Sequence, residues 1–109
     1  METFLKVVSA LNDESRVKIL AFLLEHRCCC VCEIEASLEM AQSTLSRHLK
    51  ILKDAGFLCA SRRGCRSYYD VAARSQMHAN MLKEVKALKL KIPIKICAEN
   101  STRCQILGK

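Results

Sequence analysis

The chain has 109 residues, the length of one domain. Half are hydrophobic and 27% are charged, which excludes a disordered chain, and no apolar run approaches the ~18–20 residues of a membrane span. Lys and Arg outnumber Asp and Glu by 18 to 11, a formal net charge of +7 that suits a polyanionic partner.

Three Gly and one Pro leave little turn capacity for an all-β chain and favour helices. The Met1 end soon mixes polar and apolar residues, so it is not expected to be a secretory signal, and the expected compartment is cytoplasmic. Phe4, Val7, Val8 and Leu11 recur at helical spacing and predict a short first helix. Asn12 and Asp13 are capping residues, with Asp13-Glu14 placing acid where the second helix begins. Val17, Leu20, Leu23 and Leu24 line that helix, which ends near His26-Arg27.

Ile34 and Leu38 mark a short third helix, followed by a turn at Glu39–Ala41. Leu45, Leu49 and Leu52 stand at i, i+4 and i+7 of a fourth helix that stops at Gly56. The period then changes: Phe57–Arg62 and Arg66–Val71 read as a β-hairpin with a basic tip. A last helix is predicted over Ala73–Leu90, with Met77, Met81, Val85 and Leu88 as its apolar stripe and Pro93 as its stop. Residues 93–109 form a tail that holds Cys97 and Cys104.

The order is helix, helix, short helix, helix, hairpin, helix. It predicts a mainly α winged helix-turn-helix over residues 1–92. The first and last helices carry more apolar residues than so small a core needs, which points to a homodimer paired through them.

With Leu45, Leu49 and Leu52 inward, Ser43, Arg47 and Lys50 face outward, and Gln42, Thr44 and Ser46 lie near the helix start. N-terminal residues of such a helix reach base edges in the major groove. Gln suits an adenine edge and Arg a guanine edge, while hydroxyls suit phosphate. Arg62, Arg63 and Arg66 on the hairpin are candidates for the flanking backbone. An ordinary solvated helix face is the bland alternative for Gln42–Arg47, but the preceding short helix and basic hairpin argue against it. His48, beside the apolar stripe, fits a half-buried packing residue as well as a DNA contact.

Eight cysteines are many for this length, and Cys28, Cys29, Cys30 and Cys32 crowd into five positions. Neighbouring cysteines are poor staples because a bridge between them closes almost no loop. Clustered thiols in a cytosolic chain bind metal or sense redox state more often than they cross-link. Thiolates are soft donors that select thiophilic ions. A helix N-terminus and Arg27 are expected to favour the thiolate form. The alternative is that Cys30 and Cys32 are inert packing residues.

Three strings resemble the ArsR/SmtB-type repressors. Leu11-Asn12-Asp13-Glu14-Ser15-Arg16-Val17-Lys18-Ile19-Leu20 resembles their L-x-D-x-T-R-x-x-I-L opening, and Cys30-Val31-Cys32-Glu33-Ile34 their C-V-C-D-L element. Gln42-Ser43-Thr44-Leu45-Ser46-Arg47-His48-Leu49-Lys50, continued to Gly56, resembles their recognition helix, and Arg63-Gly64 with Tyr68-Tyr69 their wing. The likeness covers roughly residues 4–90. It implies a homodimeric winged-helix repressor that leaves operator DNA on binding a toxic metal or metalloid, and not an enzyme. Within the arsenic-responsive branch it implies arsenite or antimonite as inducer, held by Cys30, Cys32 and a third thiolate.

The family's usual third cysteine is Glu35 here, so the third ligand is sought at Cys28 or Cys29 first, and at Cys97 or Cys104 otherwise. Ala41 stands where a capping Ser is frequent, and Cys65 where the wing is frequently basic. The family's zinc pattern on the last helix is absent, and His78, lacking a partner His, reads as a solvated residue. Cys59 reads as a small buried strand residue.

Residues at i and i+2 do not face each other on a helix, so metalloid capture by Cys30 and Cys32 is expected to unwind or block the start of the third helix. Two other signals fit the same fold: cadmium, lead or zinc on four thiolates, and oxidation within Cys28–Cys32. A small thiol enzyme fits least, because no glycine-rich phosphate loop is present.

Overall fold

The computed structural model describes residues 1–96. Helix α1 spans Glu2–Ala10, α2 Glu14–His26, α3 Val31–Leu38, α4 Gln42–Ala55 and α5 Gln76–Ala87. Strand β1 is Cys29–Cys30, β2 Leu58–Arg63 and β3 Arg66–Val71, in a three-stranded antiparallel sheet ordered β1-β3-β2. The architecture is a winged helix-turn-helix, with α3 and α4 joined by a short turn and β2–β3 as the wing.

Local chemistry sets the boundaries. Asp13 caps α2, its carboxylate accepting from the backbone N–H groups of Ser15 at 2.8 Å and Arg16 at 3.2 Å. Glu39 ends α3 and Gly56 ends α4, both in the left-handed region. Gly56 has φ +97°, and a Cβ there would meet His78 Nε2 at 2.7 Å, so the position accepts only glycine without rearrangement. Ala41 precedes α4 without a side-chain cap.

The core is built from the inner faces of all five helices and the base of the wing. Phe22, Phe57, Ile19, Leu20, Leu23, Ile34, Leu45, Leu49 and Leu52 are fully buried. Leu45, Leu49 and Leu52 therefore anchor α4 by the stripe its sequence predicts. The outer face of α1 is left apolar and exposed at Phe4, Leu5 and Val8, as is Leu88 beyond α5. No described helix is long and apolar enough to cross a membrane.

Three features depart from the sequence reading. Helix α5 is shorter than Ala73–Leu90; of the predicted stripe Val85 is buried, Met77 and Met81 are half-buried against the core and Leu88 is exposed, while His78 and Leu82 take inner positions. Strand β1 is an unforeseen element, pairing Cys29 with Tyr69 and Cys30 with Tyr68 of the wing. Finally, the chain after α5 turns back over the body. Pro93 O accepts from His26 Nε2 at 2.9 Å, Ile96 N donates to Ser37 Oγ at 2.8 Å, and Lys95 lies 3.8 Å from the Glu33 carboxylate.

Candidate nucleic-acid interface and thiol cluster

Helix α4 presents Gln42, Ser43, Thr44, Ser46, Arg47 and Lys50 to solvent on the face opposite its leucines. Lys50 is steadied by Asp54, one turn on, at 3.1 Å. On the wing, Arg62 and Arg63 are exposed and Arg66 is half-buried. Arg63 and Arg66 are cross-strand partners at the tip.

The back of α4 is tied to the body by two histidines. His48 is buried, and its Nδ1 accepts from Arg16 Nη1 at 3.2 Å. Arg16 also donates to the Ala10 and Ser9 carbonyls at 2.8 and 3.3 Å, joining the end of α1 to α4. Burial pushes the His48 pKa below its ordinary value. His48 is thus a packing residue.

His78 is no solvated residue. It is 1% exposed, edge-on to Phe57, with Nε2 donating to Ala55 O at 2.7 Å and Nδ1 hydrogen-bonded to Ser75 Oγ at 2.8 Å. It closes the C-terminal end of α4 against α5.

The four clustered cysteines divide. In β1, side chains alternate between faces. Cys29 enters the main core, while Cys30 packs with Cys32 and Tyr68 in a separate cluster. The Cys29 Sγ–H donates to Arg27 O at 2.9 Å, and burial pushes its pKa up to about 11. Its place in the core fits a structural thiol, which weakens it as a third ligand. Cys28 is half-buried, and its sulfur lies 3.8 Å from Arg63 Nη2.

Cys30 is extended, with φ −82° and ψ 162°, and caps α3. Its sulfur faces the Glu33 N–H while the Glu33 carboxylate accepts from the Cys30 N–H at 2.9 Å, a capping box with a thiol in the serine position. Cys30 and Cys32 are therefore not both inside regular helix, and they share one cluster without unwinding. Burial raises the Cys30 pKa despite the helix terminus, with the Glu33 charge adding to it. Arg27 does not offset this, because it pairs with Asp70 at 3.1 Å.

Cys28, Cys29 and Cys30 are free thiols, whereas Cys32 is disulfide-bonded, contrary to a wholly reduced segment. Cys59 and Cys65 are exposed and outside any disulfide. Cys59 is thus not buried, since β2 turns it outward opposite Asp70. Cys97 and Cys104 lie outside the described residues. Among the described residues, no three His, Cys, Asp or Glu side chains are gathered closely enough to hold a metal ion.

Two residues of this region were not singled out by sequence. Glu33 was visible in the Cys30-x-x-Glu33 spacing, a capping box with sulfur in place of oxygen. Tyr68 was legible as a strand residue but not as the neighbour of Cys30, because a two-residue strand has no periodicity.

Residues 13–58 match the family profile described as bacterial regulatory protein, arsR family. An arsenical resistance operon repressor of Bacillus subtilis is 42% identical over 62 residues, 57% of this chain and 59% of its own. The match thus spans about three fifths of that repressor's length. An uncharacterized HTH-type transcriptional regulator of Methanocaldococcus jannaschii is 39% identical over 64 residues, 59% of this chain and 72% of its own. A homodimeric winged helix-turn-helix DNA-binding domain from Mycobacterium bovis, titled a possible ArsR-family transcriptional regulator, superposes with TM-score 0.68 at 28% identity, covering 81% of this chain and 79% of that one. With the winged helix and its α3–α4 pair in place, the chain belongs to the arsR family of helix-turn-helix transcriptional regulators.

Proposed function

We propose that this chain is a cytoplasmic repressor that binds double-stranded operator DNA as a homodimer and releases it when trivalent arsenic or antimony is captured by cysteine thiolates. The observation that carries the reading is the joint packing of Cys30 and Cys32 at the start of α3, the segment that leads directly into α4. The exposed polar face of α4 and the arginines of the wing supply base-edge and phosphate contacts. The apolar outer face of α1, with Leu88 beyond α5, suits a second copy of the chain.

Arsenite binding is a condensation. Arsenous acid gives up three hydroxyls as water, each taking the proton of one thiol, and three As–S bonds form. The raised pKa of Cys30 is therefore no barrier, because its proton leaves in the water formed. Cys30 and Cys32 supply two sulfurs once Cys32 is reduced, and Cys28, half-buried and outside the core, is the better third ligand than Cys29. Capture draws the Cys30 sulfur away from the Glu33 N–H and loosens the capping box at the start of α3. Coupling free energies of ~1–3 kcal/mol between two sites change affinity by roughly 5–150-fold.

Thiolate-to-arsenic absorbance in the near ultraviolet tests the ligand set on reduced protein. Cys30→Ser and Cys32→Ser are expected to abolish it, Cys28→Ser to weaken it and Cys29→Ser to leave it intact. Full absorbance in both Cys30→Ser and Cys32→Ser would place the site elsewhere, Cys97 and Cys104 being the next candidates. A second reading, thiol oxidation, draws on the disulfide at Cys32, although Cys28, Cys29 and Cys30 are free and the bond is therefore not within Cys28–Cys32 as the sequence suggests. Operator release by peroxide, with none by arsenite, would establish it instead.

A further inference from the structure

The thiol segment is not only the start of α3. As β1 it is also a strand of the wing sheet, with Cys30 directly opposite Tyr68. Tyr68 and Cys32 both pack against Cys30. The Arg63 guanidinium lies over the Tyr68 ring at 4.7 Å from its centroid, and Arg66 donates a side-chain hydrogen bond to Tyr68. Arg63 also reaches Cys28.

Two cations that face each other across a hairpin repel. Here they are held by the face and the polar edge of a single aromatic side chain. Tyr68 therefore links Cys30, at the centre of the thiol cluster, to both wing arginines.

We propose that Tyr68 is a positioning residue through which the wing reads the thiol cluster: an ion on Cys30 and Cys32 displaces its ring, and Arg63 and Arg66 lose the positions from which they meet phosphate. This rests on the thiol-bound inducer proposed above and adds a second route to DNA release, parallel to α3. Its signature is electrostatic. Each lost phosphate contact makes the salt dependence of DNA binding shallower by about 0.9 in log–log slope, so two arginines account for about 1.8 per protomer. A pure misorientation of α4 base contacts leaves that slope in place.

The experiment measures operator affinity against salt for reduced wild type, Tyr68→Phe, Tyr68→Leu and the Cys30→Ser/Cys32→Ser double variant. Each is measured alone, with arsenite, and with divalent mercury, a soft ion that binds dithiols whatever the natural inducer. Ion stoichiometry and circular dichroism are followed in parallel.

In wild type, loading is expected to make the slope shallower by about 1.8 per protomer. Tyr68→Phe, which keeps the ring and loses the Arg66 bond, starts shallower by about 0.9. Tyr68→Leu starts at the loaded value and no longer responds, although it binds the same number of ions. The double cysteine variant keeps the unloaded slope.

An unchanged wild-type slope with both ions overturns the proposal. So does a Tyr68→Leu variant that responds like wild type, or a double cysteine variant that responds to arsenite. A response to mercury without one to arsenite leaves the wing coupling standing and contradicts the metalloid reading.

Discussion

Single side chains decide where the elements end and how they are held. Gly56 does so through backbone geometry, since its positive φ is strained for any L side chain and a Cβ there meets His78. Gly56→Ala is expected to lose about 1–3 kcal/mol in urea denaturation from backbone strain, and more if His78 is also displaced from Ala55 O. An unchanged midpoint would show that the α4–α5 junction is loose. Asp13 acts through charge. Its backbone hydrogen bond from Arg16, then the nearby Arg16 charge, hold its pKa below the ordinary aspartate value. A depressed carboxylate stabilises the fold above its unfolded pKa, and that stability is lost as pH falls through the folded pKa. Asp13→Asn keeps a capping oxygen but removes the titration. Its Tm is expected to fall less than that of wild type between pH 5 and pH 2, and parallel curves would contradict the role given to Asp13.

At the scale of elements, α4 and the wing are expected to fail in different ways. Arg47→Ala removes a base-edge candidate and is expected to cost about 1–3 kcal/mol with relaxed sequence preference. Arg62→Ala removes a phosphate candidate and is expected to weaken all sequences alike, with a salt slope shallower by about 0.9. Competition between operator and scrambled duplexes separates the two, and equal loss of specificity in both would merge their roles. Helix α4 was legible because its leucine stripe, polar face and terminal glycine agree. The hairpin was legible from its strand-formers and basic tip. β1 was not, because two residues carry no period and its pairing is decided by a wing some 40 positions away. The stripe of α5 was legible at Val85 but only in part at Met77 and Met81, which are half-buried because His78 and Leu82 take the inner positions. Cys59 misled because hydrophobicity was read as burial on a strand that exposes most of its length.

For the molecule as a whole, part of the basic charge lies on the exposed face of α4 and on the wing, and the described cysteines fall into distinct environments. One thiol is core, one caps a helix beside a partner sulfur, one sits under an arginine and two lie open on the wing. The thiol cluster adjoins both elements proposed to meet DNA, α4 through α3 and the wing through β1, and in the proposed mechanism this gives a small ligand purchase on a large interface. The central claim is that thiol-bound trivalent arsenic or antimony releases DNA. It is tested most directly by fluorescence anisotropy of a labelled operator bound to the reduced protein, titrated with arsenite, antimonite, cadmium, lead and zinc. Release by arsenite or antimonite alone, abolished in Cys30→Ser and Cys32→Ser, is the predicted result. Release by cadmium, lead or zinc alone, or by arsenite in both cysteine variants, would contradict it.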